Sequence, residues 1–96
     1  MADIFDVQLS RNAKKDLATI PTYIVKKLRT WIFSVSQNGI IEIRKISSYH
    51  DEPLKGNRLG QRSIRLNNSY RAIYEVKNNE IEIEYIEIQE VNNHEY

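Results

Sequence analysis

Ninety-six residues, 41% hydrophobic and 28% charged, make one domain, and folding at this size buries only about 60 to 65% of the surface the unfolded chain exposes, so a bound partner can supply much of the working stability. The apolar runs fall far short of the ~20 residues of a membrane span, no basic stretch leads into an apolar run after Met1-Ala2-Asp3, and no cysteine is present for a disulfide framework or a thiolate metal site, which together point to a cytoplasmic protein that does not engage a membrane. The net charge of +1 hides an asymmetry: Glu42 to Tyr74 carries seven basic side chains against three acidic, whereas Glu75 to Tyr96 carries one against seven, so the middle suits phosphate and the last stretch repels it unless its carboxylates turn away.

Phe5, Val7 and Leu9 alternate with Asp6 and Gln8, which predicts a strand over Ile4 to Leu9 with one buried face. Ser10 stands where a helix N-cap belongs, and Ala13, Leu17 and Ile20 follow at helical spacing until Pro21 stops the helix. The same proline suits the first turn of a second helix, in which Ile24, Val25, Leu28, Trp31, Ile32 and Val35 form an apolar stripe running to about Gln37, with Asn38-Gly39 as its stop. Ile40 to Ile46 reads as a short third helix, and Ser47 to Gly60, with Pro53, Gly56 and Gly60, as a loop. Arg62 to Leu66 and Tyr70 to Val76 then form a hairpin about Asn67-Asn68-Ser69, whose asparagines tolerate positive φ, and Lys77-Asn78-Asn79 turns into a last strand over Glu80 to Val91. In that strand the apolar phase flips between Tyr85 and Ile86, which predicts a bulge there or burial of both faces, and its glutamates can lie on the face away from any RNA. The order describes an α+β domain: an antiparallel sheet with its helices, an N-terminal hairpin included, on one face.

If Ile64 and Leu66 point into the core, Ser63 and Arg65 share the other face, and Tyr70-Arg71 re-enters on the neighbouring strand. Arg65 and Arg71 can then converge on one rigid surface, where guanidinium groups hold a scissile phosphate and stabilise the charge its transition state adds; the plainer alternative is a solvated face of ion pairs. RNA carries its own nucleophile in the 2′-hydroxyl, so a protein that moves protons on and off oxygen and neutralises the phosphate needs neither metal nor cofactor. His94 and Tyr96 at the end of the chain supply such proton-transfer groups, against the alternative of a frayed polar tail. His50, Lys55, Arg58 and Arg62 make the Gly/Pro loop and its exit a basic clamp for RNA backbone, against the alternative of a solvated loop, and Tyr49 and Tyr70 are candidates to stack on bases. No glycine-rich phosphate loop, nucleophile triad or metal-ligand spacing is visible.

Taken in order, Pro53-Leu54-Lys55-Gly56, Gly60-Gln61-Arg62-Ser63-Ile64-Arg65-Leu66 and Tyr70-Arg71-Ala72-Ile73-Tyr74 resemble the RelE/ParE superfamily of toxin-antitoxin toxins. With the ending His94-Glu95-Tyr96, the chain looks like the HigB-type killer branch, and the resemblance spans nearly its whole length. It implies a single microbial-ribonuclease-like (RelE-like) domain over residues 1–96, cleavage of mRNA without a metal in the ribosomal A site, and silencing by a co-encoded antitoxin, HigA-like and of helix-turn-helix type, through which alone operator DNA is met. By the resemblance Arg65 is the basic residue of the second strand, Arg71 contacts the scissile phosphate, His94 or Tyr96 is the terminal acid/base, and Lys55 and Arg58 match the basic loop. Two positions depart from the family pattern: Ser63 stands where several relatives have a basic residue, and Glu52 where some have a histidine. A ParE-like gyrase poison of the same fold, and a binding module without catalysis, are the competing readings.

Overall fold

The structure, a computed structural model, describes residues 3–93. Its elements are β1 (Val7–Leu9), α1 (Arg11–Leu17), α2 (Thr22–Asn38), α3 (Ile40–Ile43), β2 (Glu52–Pro53), β3 (Gln61–Arg65), β4 (Arg71–Asn78) and β5 (Glu84–Asn92), with short 3-10 turns at Ser47–Tyr49 and Gly56–Arg58. Ser10 caps α1 by accepting from the Ala13 amide at 3.0 Å, and its own hydroxyl donates to the Gln89 carbonyl on β5 at 2.9 Å. Asp16 accepts from the Val91 amide at 2.9 Å. The first helix is therefore stitched at both ends to the last strand.

The sheet order is β1-β5-β4-β3-β2. The α+β class and the helices on one face are as expected; the pairing of β1 with β5, however, is parallel, while the rest of the sheet is antiparallel. A parallel partner needs a long crossover, and here everything from α1 to β4 lies between the two strands. The helical face buries Ile24, Leu28, Trp31 and Val35 of α2 and Ile40 and Ile43 of α3 against Ile64, Ala72, Tyr74, Ile86 and Ile88.

The bulge lies elsewhere than the sequence suggests. Ile73 faces Glu90 and Tyr74 faces Ile88, so Gln89 is the extra residue. Ile81 and Ile83, whose alternation suggested an earlier strand start, sit exposed in the turn before β5. That turn is longer than Lys77-Asn78-Asn79: the Asn79 side chain accepts from the Ile81 and Ile83 amides, and Glu82 adopts the left-handed conformation. Asn67 closes the other hairpin likewise through its side chain, accepting from Ser69 and Tyr70, and takes no positive φ.

Gly39 ends α2 at φ +86° and ψ 155°, a region essentially closed to side chains. The Asp3 carboxylate occupies the space where a Cβ would stand, accepting from the Ile4 and Ile41 amides at 2.8 and 3.1 Å. Gly39→Ala should therefore lose at least about 2 kcal/mol in a denaturant melt. Gly60→Ala, at φ +96° with open space beside it, should lose less; equal losses would show that Asp3 yields freely.

Candidate functional site

Alternation sorts the strand residues onto two faces. Arg62 with Tyr74, and Ile64 with Ala72, face the helices; Gln61 with Glu75, Ser63 with Ile73, and Arg65 with Arg71 face the other way. Arg65 and Arg71 are thus directly opposed across β3 and β4, the convergence the sequence suggests. Like charges facing each other at this spacing repel. Among the described residues the Arg65 guanidinium has no side-chain hydrogen bond or ion pair to relieve it. Arg71 donates to the Ser63 hydroxyl at 3.2 Å and lies 3.9 Å from a Glu52 carboxylate oxygen. Ser63 and Ile73, both buried, form the floor beside the pair.

Around this pair the loop contributes further groups. His50, in the left-handed conformation at φ 49°, holds its Nε2 3.5 Å from Glu52, so Glu52 stands between the imidazole and Arg71. Arg58 is brought over the same face, donating to Gln61 at 3.0 Å and to Glu90 at 3.1 Å. Lys55 is exposed, and with Glu52, Asn57 and Arg58 it lines a cleft of about 490 Å³. On β5, Asn92 faces Arg71. His94 and Tyr96, the expected acid/base residues, lie outside the described residues.

Two of the expected RNA contacts point the other way. Tyr70 packs against the core, because residues 70, 72 and 74 share one face of the chain and Arg71 the other. Arg62 likewise lies on the helical side, its Nε 2.7 Å from the Asp51 carboxylate. Burial alone would lower the Arg62 pKa, but the Asp51 hydrogen bond and charge outweigh it and raise it. Tyr49 is buried too, with the Lys27 ammonium 5.1 Å from its ring centre; desolvation raises its pKa.

The carboxylates of β5 do not all turn away, though the sequence reading allowed it. Glu87 and Glu90 share the arginine face, since Glu87 pairs with Glu75 and Glu90 with Ile73. Each meets a cation instead: Glu90 meets Arg58, and Lys77 sits 3.4 Å from Glu75 and 3.2 Å from Glu87. The Glu87 carboxyl is held below its usual range by the Gln89 side-chain amide, with Lys77 adding to it. Glu75 lies four residues along β4 from Arg71, roughly 13 Å at the rise of a strand. One face therefore carries a positive end at the β3–β4 hairpin and a compensated acidic end away from it, and an anion is drawn to the former.

The opposite orientation of two neighbouring carboxylates escapes a reading of the sequence. Asp51 and Glu52 are neighbours, yet Asp51 points to the helical face and Glu52 to the arginines, because β2 pairs Glu52 with Ser63 and Pro53 with Arg62. The only signal available was the alternation within a strand of two residues.

No family model matches the chain, and no curated protein matches it. Solved structures do. A YoeB–YefM complex from Staphylococcus aureus has 27% identity, covering 98% of this chain and 100% of that one at a TM-score of 0.66. YafQ from E. coli has 16% identity over 93% of this chain and 92% of its own, TM-score 0.72. A YoeB/ParE toxin from Agrobacterium tumefaciens has 18% identity over 94% and 99%, TM-score 0.69. At these identities the likeness is one of fold.

Proposed function

We propose, from the premise that this chain is by structure a toxin of the RelE/ParE superfamily, that it is the toxin of a type II toxin-antitoxin system and cleaves mRNA on the ribosome without a metal. The observation that carries this reading is the opposed pair Arg65 and Arg71. A sheet gains nothing from two facing guanidinium groups on an open surface, whereas a phosphate between them is gripped by permanently charged, bidentate donors. In this reading the RNA 2′-hydroxyl attacks the adjacent phosphorus and the 5′-oxygen leaves. Arg71 and Arg65 hold the phosphate and its developing charge, and Lys55 and Arg58 carry flanking backbone. Proton transfer falls to His94 or Tyr96, with His50, beside Glu52, as the alternative. Arg62 and Tyr70, which face the helices, support the surface instead of touching RNA.

The E. coli DinJ–YafQ toxin-antitoxin complex, whose structure is similar to this one, supports a cognate antitoxin as partner. That the branch is HigB-like, with a HigA-like helix-turn-helix antitoxin that alone meets operator DNA, rests on the ending His94-Glu95-Tyr96. No helix among the described residues is long and apolar enough to cross a membrane, and cytoplasmic action follows from the ribosomal target.

The test is cleavage of mRNA on programmed ribosomes, with cut sites mapped at nucleotide resolution. Wild-type protein should cut at codon boundaries. Deleting residues 93–96 should lower the rate by about 10²- to 10⁴-fold, the contribution of a general acid or base, while the protein stays folded and still binds antitoxin. His94→Gln should be impaired in the same assay, since glutamine keeps hydrogen bonding but moves no proton near neutrality. Full activity in the deletion would transfer the acid/base role to His50. Intact mRNA with broken DNA in growing cells would instead support a gyrase poison and sink the ribonuclease reading.

A further inference from the structure

On the helical side of β2 lies a charged cluster that the proposed chemistry does not use. The Asp51 carboxylate has only 1% of its side chain exposed and accepts from Tyr74 Oη at 2.6 Å and Arg62 Nε at 2.7 Å. Tyr74 in turn accepts from Arg44 Nε, at the end of α3, at 3.1 Å. Helix, β4, β3 and the 50–52 segment therefore meet at one buried carboxylate. Tyr74 is itself wholly buried. Burial, and then the Asp51 charge and hydrogen bond, push its hydroxyl above the ordinary tyrosine range against the opposing pull of Arg44, so it stays a neutral donor.

The placement of Asp51 in the chain gives this cluster its meaning. Asp51 is flanked by His50, strained at φ 49°, and by Glu52, which faces Arg71 from the other side of the sheet. A non-glycine residue stays left-handed only where its surroundings fix it. The edge strand itself supplies little: β2 has two paired residues, and beyond them the Leu54 amide donates to the Gln61 carbonyl at 2.9 Å.

We propose that Asp51 is a positioning residue: held by Tyr74 and Arg62 on the helical side, it fixes the 50–52 segment so that Glu52 stands against Arg71, and His50 against Glu52, on the RNA face. This rests on the ribonuclease reading for its functional consequence, but not for its structural one. The cluster clamps the loop from behind, and removing the clamp leaves Glu52 and His50 chemically present and misplaced.

Asp51→Asn keeps the shape and removes the charge, and Tyr74→Phe removes one hydroxyl and keeps the ring. In the free protein, hydrogen exchange should show the Leu54 amide losing protection in Asp51→Asn while the β4 and β5 amides keep theirs, as local opening requires. In the ribosomal assay kcat should fall by up to about 10²-fold with KM little changed, because Arg71, which holds the developing charge in that reading, loses the Glu52 carboxylate that orients it. Tyr74→Phe should move both readouts the same way, by less. Placed on Glu52→Gln, Asp51→Asn should cost almost nothing more, because both changes act on Arg71 through the Glu52 carboxylate. Unchanged Leu54 protection, loss spread evenly over the sheet, unchanged kcat, or additivity with Glu52→Gln would each overturn the proposal. A wild-type protein that cuts no RNA would remove the functional half together with the ribonuclease reading, while exchange at Leu54 would still show whether Asp51 holds the loop.

Discussion

Arg65→Ala and Arg71→Ala should each lose about 10²- to 10³-fold of mRNA cleavage, the usual cost of removing one preorganised donor to a developing charge. Stability should separate the two. Arg65 faces Arg71 across the hairpin and, among the described residues, meets no opposite charge, so its removal relieves repulsion and the melting temperature should stay level or rise. Arg71 also donates to the buried Ser63 hydroxyl, and its loss leaves that hydroxyl without the partner, so Arg71→Ala should melt slightly lower. Activity gone with stability kept is the trade expected of residues placed for a ligand instead of for the fold. The measurements are ribosomal cleavage and thermal melts on the same preparations. Two fully active single variants would place the phosphate elsewhere, and a large drop in melting temperature for Arg65→Ala would mean that the pair has a structural role after all.

Trp31→Ala should be the most destabilising single change, at about 3 to 5 kcal/mol. Trp31 is wholly buried on α2, and its ring centre lies 5.3 Å from that of Tyr74 at 43°, an edge-tilted contact. In a domain whose whole stability is about 5 to 15 kcal/mol, that loss leaves little. The melting temperature should fall by roughly 15 °C or more. Among the described residues the buried indole Nε1 has no hydrogen-bond partner, an expense phenylalanine avoids, so Trp31→Phe should lose much less than the difference in size suggests. An unchanged melting temperature in Trp31→Ala would contradict the burial. Because Trp31 supports the ring whose hydroxyl reaches Asp51, the alanine variant should also expose the Leu54 amide earlier than Trp31→Phe does.

What could be read in advance followed from periodicity. The α2 stripe, with Ile24, Leu28, Trp31 and Val35 at zero exposure, is a pattern of one element against water. So is the strand alternation that set Arg65 and Arg71 on one face. The failures lie where partners are distant in sequence. Ile81 and Ile83 alternate with glutamates as a strand would, yet Asn79 captures their amides and turns them into a loop. Arg62 and Tyr70 are the same residue types as the site groups, and the alternation that sets Arg65 and Arg71 on one face sets these two on the other, with the helices. Asp51 and Glu52 carry like charge side by side, and nothing local tells that one is buried against Tyr74 while the other faces Arg71.

The parallel seam between β1 and β5 sets an order of assembly. The first strand finds its sheet partner only when the last one exists, and Ser10, Asn12 and Asp16 also bond to β5. Contacts so far apart in the chain make for slow folding, since a long loop must close before any of them contributes. Of the described strands β5 leaves the exit tunnel after all the others, and it carries the Glu90 that meets Arg58 and the Asn92 that faces Arg71. A nascent chain therefore has helices and a hairpin but no finished sheet.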